Sequence, residues 1–169
     1  MGIINTIANN LLKQATQNKF EGSDIMELEI QSIIKLFVAV LVGGFIGLER
    51  ESANRPAGFR THILVCVASA IVMDVNLMMA RDFINADPMR LGAQVISGMG
   101  FLGAGTIIKE GNNVKGLTTA AGLWAVALLG LVIGAGYYLL AVFAALVMLL
   151  TLKTFSQLEN KYSKHKHIK

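Results

Sequence analysis

The stretch GGFIGLERESANRPAGFRTH, residues 43–62, begins as glycine-rich apolar sequence and then becomes a dense, mixed set of charges. Apolar residues 33–48 precede the charges and residues 63–79 follow them, and each run approaches the roughly 20 residues that a helix needs to cross a bilayer core. Pro56 and Gly58 lie between the two runs and favour a loop there. The stretch therefore predicts two membrane helices joined by a charged loop.

The composition of the whole chain supports a membrane protein. Apolar residues make up 54% of the sequence and charged residues only 15%, whereas soluble domains carry about 25% charged residues. Further apolar runs occupy residues 91–108, 117–134 and 137–152. Together with the first two runs they predict an all-α, polytopic bundle with five transmembrane helices in residues 25–152.

The two ends of the chain differ from this membrane part. Residues 1–24 place isoleucine and leucine at helical spacing among polar residues, which predicts an interfacial amphipathic helix, and they lack the basic start of a cleaved signal peptide. Asp24 followed by Glu27 predicts a capping box and a helix start near Ile25. Residues 153–169 form a basic tail.

Most Lys and Arg residues fall in the first loop, the third loop and the tail. By the positive-inside rule, these segments are predicted to be cytoplasmic and the N-terminus to lie outside, in a multi-pass membrane protein. The formal net charge of +4 is therefore explained by topology, and no nucleic acid is expected as a partner. Five helices make a thin bundle, so membrane lipid and other copies of the chain, in a homo-oligomer, are expected neighbours.

Glycines are concentrated in the third predicted helix, which contains five of them. The stretch GMGFLG, residues 98–103, matches a dinucleotide-binding fingerprint, but that motif needs a strand, a turn and a solvent-facing helix start. Close packing of helices in lipid is the preferred interpretation, and it makes the third helix the predicted centre of the bundle. The residues assigned to helix packing are Gly44, Gly47, Gly98, Gly100, Gly103 and Gly105.

The sequence also contains an apparent internal repeat. Residues 44–47 (GFIG) recur as residues 100–103 (GFLG), and residues 58–61 (GFRT) recur as residues 116–119 (GLTT). The two helix pairs are therefore predicted to be related by an axis along the membrane normal, an arrangement that transporters use. Chance similarity between glycine-rich helices is the alternative.

Ionisable residues inside predicted crossings are functional candidates, because burying them in a bilayer is costly. Lys35 and Asp74 are predicted at similar depth on neighbouring helices, as a structural ion pair or, alternatively, as part of an ion or proton relay. Arg90 and Gln94 lie one helical turn apart and are predicted to share a face of the third helix.

The two predicted cytoplasmic loops carry a richer polar set, expected to form one network that caps the bundle. Its members are Glu49, Arg50, Arg55, Arg60, His62, Lys109, Glu110, Asn113, Thr118 and Thr119. Glu49, Glu51 and Glu110 are weak candidates for a Mg²⁺ site, since Mg²⁺ needs only one or two carboxylates but the neighbouring cations repel it. An anionic ligand, a lipid head group or an acidic partner segment is an equal alternative. No resident cofactor is expected.

Two long motifs resemble the MgtC/SapB family of bacterial inner-membrane proteins. They are GGFIGLERE with RPAGFRTHILV in the first half and AQVISGMGFLGAGTIIKEGNNVKGLTTAAGLW in the second. The residues that match the family pattern are Glu49, Arg50, Arg55, Gly58, Arg60, Thr61, Gln94, Gly98, Gly100, Gly103, Gly105, Glu110, Val114, Gly116, Thr119 and Trp124. Lys35 and Asp74 lie outside these motifs.

The resemblance implies a five-helix membrane domain and a link to growth at low magnesium, acid resistance or survival inside host cells. It implies a regulatory role on other membrane complexes, in some members the proton-driven ATP synthase. Longer members add a soluble ACT-like domain after the fifth helix, whereas a short basic segment follows it in this sequence.

Two functions remain open at this point. The first is a non-enzymatic modulator of magnesium or pH homeostasis that contacts another membrane complex. The alternative is an oligomeric transporter or channel for a cation, Mg²⁺ or a proton. No serine, histidine and acid constellation suggests catalysis, and Ser97 lacks a base within predicted reach, so the chain is not expected to be an enzyme.

Overall fold

The computed structural model describes the backbone of residues 2–83 and 85–166, and the side chains of residues 26–81, 83 and 85–154. Five helices are present in these ranges: α1 (Gly2–Ser52), α2 (Phe59–Asp82), α3 (Arg90–Gly105), α4 (Leu117–Gly134) and α5 (Tyr138–Lys166). Strands β1 (Ile108–Glu110) and β2 (Asn113–Lys115) form an antiparallel hairpin between α3 and α4. The predicted all-α membrane bundle is confirmed.

Among the described residues, three segments are long and apolar enough to cross a membrane by themselves: Met26–Ser52, Phe59–Arg81 and Leu117–Gly134. The apolar part of α5, Tyr138–Thr154, and the 16-residue α3 are shorter. The chain divides into two compact units, residues 1–34 and residues 35–169. The first unit is the N-terminal part of α1, and the second contains the rest of that helix and the other elements.

The helix start predicted at Ile25 is wrong, because the backbone is helical from Gly2 to Ser52. Gly22, Ser23 and Asp24 were interpreted as an interruption, but each costs a helix only about 1 kcal/mol or less relative to alanine. The segment contains no proline that would remove a backbone donor. The amphipathic face predicted for residues 1–24 concerns side chains outside the described ones.

The centre of the bundle is the packing of α2 against α4. Buried apolar side chains of both helices, including Cys66, Ala70, Val126 and Ile133, form its core. Gly130 and Gly134, one turn apart on α4, face α2. A Cβ on Gly130 would lie 2.3 Å from the Cys66 carbonyl oxygen, and one on Gly134 would lie 2.4 Å from the Ala70 carbonyl oxygen. These two glycines permit the close approach of backbones that stabilises helices in lipid.

Neighbouring positions on the same buried face of α2 pack against α1 in the same way. A Cβ on Gly43 would lie 2.9 Å from the Cys66 Cβ, and one on Gly47 would lie 2.8 Å from the Phe59 Cα. Gly44 meets the Phe59 ring, where a Cβ would have a 3.2 Å contact. Glycines on α1 and α4 therefore let both helices approach one face of α2, and Cys66 contacts both of them.

The prediction that the third helix is central is wrong for the contacts within this chain. On α3 only Gly92, Met99 and Gly103 are buried, and a Cβ on Gly103 would make an ordinary 3.6 Å contact with Ala120. Nothing lies within 4 Å of a Cβ placed on Gly98, Gly100 or Gly105. A glycine pattern shows where two backbones are able to approach, but not which helix approaches.

The hairpin between α3 and α4 was missed by the all-α interpretation. Its signal was present, because Gly111-Asn112 separates two short runs and such a pair favours a tight hairpin turn. Gly111 has φ +59°, and Gly116, which precedes α4, has φ +89°. A Cβ on Gly116 would lie 1.9 Å from the Thr106 carbonyl oxygen, so this position requires glycine.

The apparent repeat coincides with equivalent structural positions. Gly58 and Gly116 are the residues before the first turns of α2 and α4. Gly47 contacts His62, and its counterpart Gly103 contacts Ala120, in the matching turn of α4. Helices α2 and α4 thus begin in the same way, with a glycine before the first turn. The contact between helices is closer in the first half, where a Cβ on Gly47 would have a 2.8 Å contact, than in the second, where one on Gly103 would have a 3.6 Å contact.

Candidate functional site

The loop end of the bundle, defined by residues 49–62, the hairpin and the first turn of α4, contains a buried ion pair. Arg50, in the last turn of α1, is 1% exposed. Its Nε donates to Glu49 Oε2 at 2.5 Å and its Nη2 donates to Glu49 Oε1 at 2.7 Å. This two-point contact satisfies the carboxylate and cancels both charges, so the pair is a structural element with strong directional bonds.

A buried histidine lies beside this pair. His62 is 0% exposed, and its Nδ1 donates to the Gly58 carbonyl oxygen at 2.9 Å, because a carbonyl only accepts. In the neutral ring the other nitrogen, Nε2, is then an acceptor, and it has no partner among the described residues. It lies 4.0 Å from the position of a Cβ on Gly122 of α4. The imidazole thus directs Nε2 at Gly122 of α4.

The remaining loop residues make local contacts. Glu51 accepts the Phe59 backbone N–H at 2.8 Å and so caps the start of α2. Lys115 pairs with Glu110 at 2.6 Å within the hairpin, where both side chains are exposed. The other predicted members are exposed to solvent: Arg55, Arg60, Lys109, Asn113 and Thr118.

The predicted charged network that joins the two halves is not observed. Among the described side chains, the ion pairs at the loop end are Glu49 with Arg50 and Glu110 with Lys115, each within one segment. Each carboxylate finds a donor close to it in sequence, which costs less conformational entropy than ordering two loops against each other. The structure brings together Arg50, Glu49 and His62 and leaves the hairpin charges apart from them.

The three carboxylates considered for Mg²⁺ are all engaged by protein donors, as described above for Glu49, Glu51 and Glu110. Within the described side chains there is also no group of three or more His, Cys, Asp or Glu residues able to hold a metal ion. The donor set therefore does not fit a preformed protein cage, and Mg²⁺ would have to displace existing hydrogen bonds.

The structure places Lys35 and Asp74 in a direct ion pair between α1 and α2. The two side chains are 15% and 8% exposed. Nearby on α2, Asn76 donates to the Pro88 carbonyl oxygen and accepts the Leu91 N–H at 3.5 Å. Asn76 therefore ties α2 to the start of α3, a role that an asparagine within an apolar run could have suggested from sequence.

The outward face of α3 combines polar and small residues. Arg90 and Gln94 are both exposed on one face of α3, and Ser97, Gly98, Phe101 and Gly105 continue that face. The buried edge of the helix, through Gly92, Met99 and Gly103, lies opposite. Within this chain the face is not covered.

Comparison with known proteins gives a consistent result. A sequence profile described as "MgtC family" matches residues 36–161. The chain is 42% identical over 131 residues to the Escherichia coli K12 protein named "Putative magnesium transporter YhiD", covering 75% of this chain and 61% of that protein. It is 47% identical over 124 residues to "Protein SapB" of Bacillus subtilis, covering 70% of this chain and 53% of that protein.

A third relative is "Protein MgtC" of Brucella abortus, 49% identical over 98 residues, which cover 58% of this chain and 40% of that protein. The chain thus spans between two fifths and three fifths of the length of these relatives. No solved structure shows a significant match.

Proposed function

Because the chain belongs to the MgtC family, we propose that it is a membrane protein of magnesium and pH homeostasis that acts by contacting another membrane protein. The printed names of two relatives, a putative magnesium transporter and MgtC, support the link to magnesium. We place the loop end, with its excess of cations, in the cytoplasm of a bacterial inner membrane. No catalytic role is part of the proposal.

One observation supports this proposal: the outward face of α3 has the small residues typical of a helix interface but contacts no other helix among the described residues of this chain. Gly98 and Gly105 have open space beside them, so a second backbone is able to approach closely. Small residues of this kind are enriched at helix interfaces in membranes, where van der Waals packing takes the place of the hydrophobic effect.

The polar side chain of Gln94 also favours a partner helix on the outward face of α3. Its amide is exposed and makes no hydrogen bond to the described residues, and an unsatisfied amide in hydrocarbon costs free energy. A hydrogen bond between membrane helices contributes about 0.6–2 kcal/mol. A partner helix that accepts a hydrogen bond from Gln94 and packs on the glycines is therefore stabilised by both the hydrogen bond and van der Waals contacts. Lipid tails cannot accept the hydrogen bond and do not pack as closely.

The test is photo-crosslinking in intact cells with a photoreactive residue at Phe101 of α3, and a matched control at Leu139 of α5. The two side chains are 83% and 85% exposed, so both positions are equally accessible. We expect adducts with a different membrane protein at position 101 and none at position 139. Gly98→Leu, which fills the open space, should reduce the adduct.

Equal adducts at both positions, or lipid adducts alone at position 101, would contradict the proposal. Adducts of twice the chain mass alone would instead identify the face as the contact of a homo-oligomer, which we also expect from the thin bundle, and would remove the need for a foreign partner.

A cation transporter or channel is the second candidate, and Asp74 is the observation that favours it. A buried carboxylate inside a crossing is a functional candidate, although its pairing with Lys35 equally supports a structural role. Purified protein in liposomes should then give a Mg²⁺ or proton flux that Asp74→Asn abolishes and Glu110→Gln, a change at an exposed carboxylate, leaves intact. Liposomes that stay tight with the wild-type chain would remove this candidate.

A further inference from the structure

A groove lies between the ends of α1 and α5, on the opposite flank of α1 from the glycines that face α2. Its volume is about 460 Å³. The residues that line it are Phe45, Leu48, Glu49, Ser52, Ala53, Leu149 and Lys153. Phe45, Leu48 and Ser52 follow one face of α1, at spacings of one helical turn, and Leu149 and Lys153 are one turn apart on α5.

The lining changes from apolar to polar along both helices. On α1, Phe45 and Leu48 come before Glu49 and Ser52, and on α5 Leu149 comes before Lys153. Phe45 is 62% exposed and Leu48 is 50% exposed, so the apolar part opens toward the hydrocarbon. This order, hydrocarbon first and charge last, is the order in which a bilayer lipid presents its acyl chain and its head group.

The charges of the groove favour an anion. Glu49 is neutralised by Arg50, as shown above, which leaves Lys153 as the uncompensated charge of the lining. Within the described side chains Lys153 makes no ion pair. The exposed Arg55 and Arg60 belong to the same loop end and add to a positive field that attracts anionic lipids.

We propose that this groove binds one anionic glycerophospholipid of the leaflet at the loop end. One acyl chain packs on Phe45, Leu48 and Leu149, and Lys153 Nζ donates to the phosphate. A zwitterionic lipid fits less well, because its ammonium group would enter a field that is already positive. A protein segment fits less well because the groove is open to lipid along its apolar part.

The experiment uses the full chain, purified in mild detergent, delipidated and titrated with phosphatidylglycerol or phosphatidylethanolamine, with bound lipid counted by native mass spectrometry. We expect one phosphatidylglycerol to remain bound at concentrations where phosphatidylethanolamine does not. Lys153→Gln should weaken that binding about fivefold. Lys109→Gln, which removes one exposed lysine of the hairpin, is the matched control and should bind as the wild type does.

Ser52→Phe tests the shape of the groove without changing its charge, and we expect it to abolish retention of the single lipid. The inference is overturned by equal losses in Lys153→Gln and Lys109→Gln, by equal retention of both lipids, or by no retained lipid at all. None of these outcomes bears on the outward face of α3, so the failure of this inference leaves the proposed function untouched.

Discussion

Cys66 of α2 and Gly130 of α4 are in backbone contact: a Cβ on Gly130 would lie 2.3 Å from the Cys66 carbonyl oxygen and 2.6 Å from the Ser69 Cβ. Real Cβ atoms do not approach other atoms so closely. The central helix pair of the bundle therefore depends on the absence of one methyl group, and helices α2 and α4 would have to move apart to admit it.

We expect Gly130→Ala to lower the free energy of unfolding by about 1–3 kcal/mol, the usual cost of overpacking. The measurement is unfolding by SDS in mixed micelles, followed by circular dichroism. Gly98→Ala is the control, because nothing lies within 4 Å of its Cβ and alanine favours a helix by about 1 kcal/mol over glycine. A loss as large at Gly98 as at Gly130 would mean that the close contact of α4 with α2 does not set the cost of an added methyl group.

Because Lys35 and Asp74 form an ion pair, we expect the losses of stability caused by changing each residue to be non-additive. Asp74→Leu alone leaves the Lys35 ammonium without its partner, and we expect a cost of about 3–5 kcal/mol. The double variant Lys35→Met with Asp74→Leu should recover most of that loss, since replacing a buried pair by apolar residues is often neutral. Thermal unfolding in nanodiscs measures both. Additive losses would show that the two charges do not stabilise each other.

His62 offers an unused acceptor to Gly122. In Gly122→Ser, the hydroxyl is within reach of Nε2, because the Cβ would lie 4.0 Å away and a C–O bond is shorter than that gap. We expect Gly122→Ser to be more stable than Gly122→Ala by about 1 kcal/mol, the net value of one hydrogen bond. The same comparison in a His62→Phe background should reverse, since serine is the poorer helix former.

Chemical denaturation of these four variants measures the coupling between the two positions. The hydrogen bond is disproved if the serine variant has the same advantage, or the same deficit, with and without the imidazole.

The two ion pairs of the loop end should contribute differently to the free energy of unfolding. Arg50→Gln leaves the Glu49 carboxylate, which is 10% exposed, without its cation, and we expect a loss of about 3 kcal/mol. Lys115→Gln removes the partner of Glu110 in a pair that is 64% and 59% exposed, and we expect a change below about 0.5 kcal/mol. Melting temperatures in the same detergent compare the two. Similar shifts would refute a structural role for the buried pair.

Sequence alone was enough to predict a helical membrane protein, and the bounds expected for the fourth crossing, 117–134, are those of α4. Long apolar runs have few other solutions in lipid, because each backbone group must be satisfied within its own helix. The motif residues also carried the family assignment, which the comparisons confirm. The hairpin could have been predicted too, since the Gly111-Asn112 turn signal is local.

The tertiary structure alone decided which glycines are used. All the glycine-rich helices satisfy the same local rule, yet Gly130 meets a carbonyl oxygen while Gly98 meets nothing in this chain. It also decided that Arg50 is buried with Glu49 rather than shared with the hairpin. Contact needs two surfaces to meet in space, and a pattern along one helix holds information about only one of them.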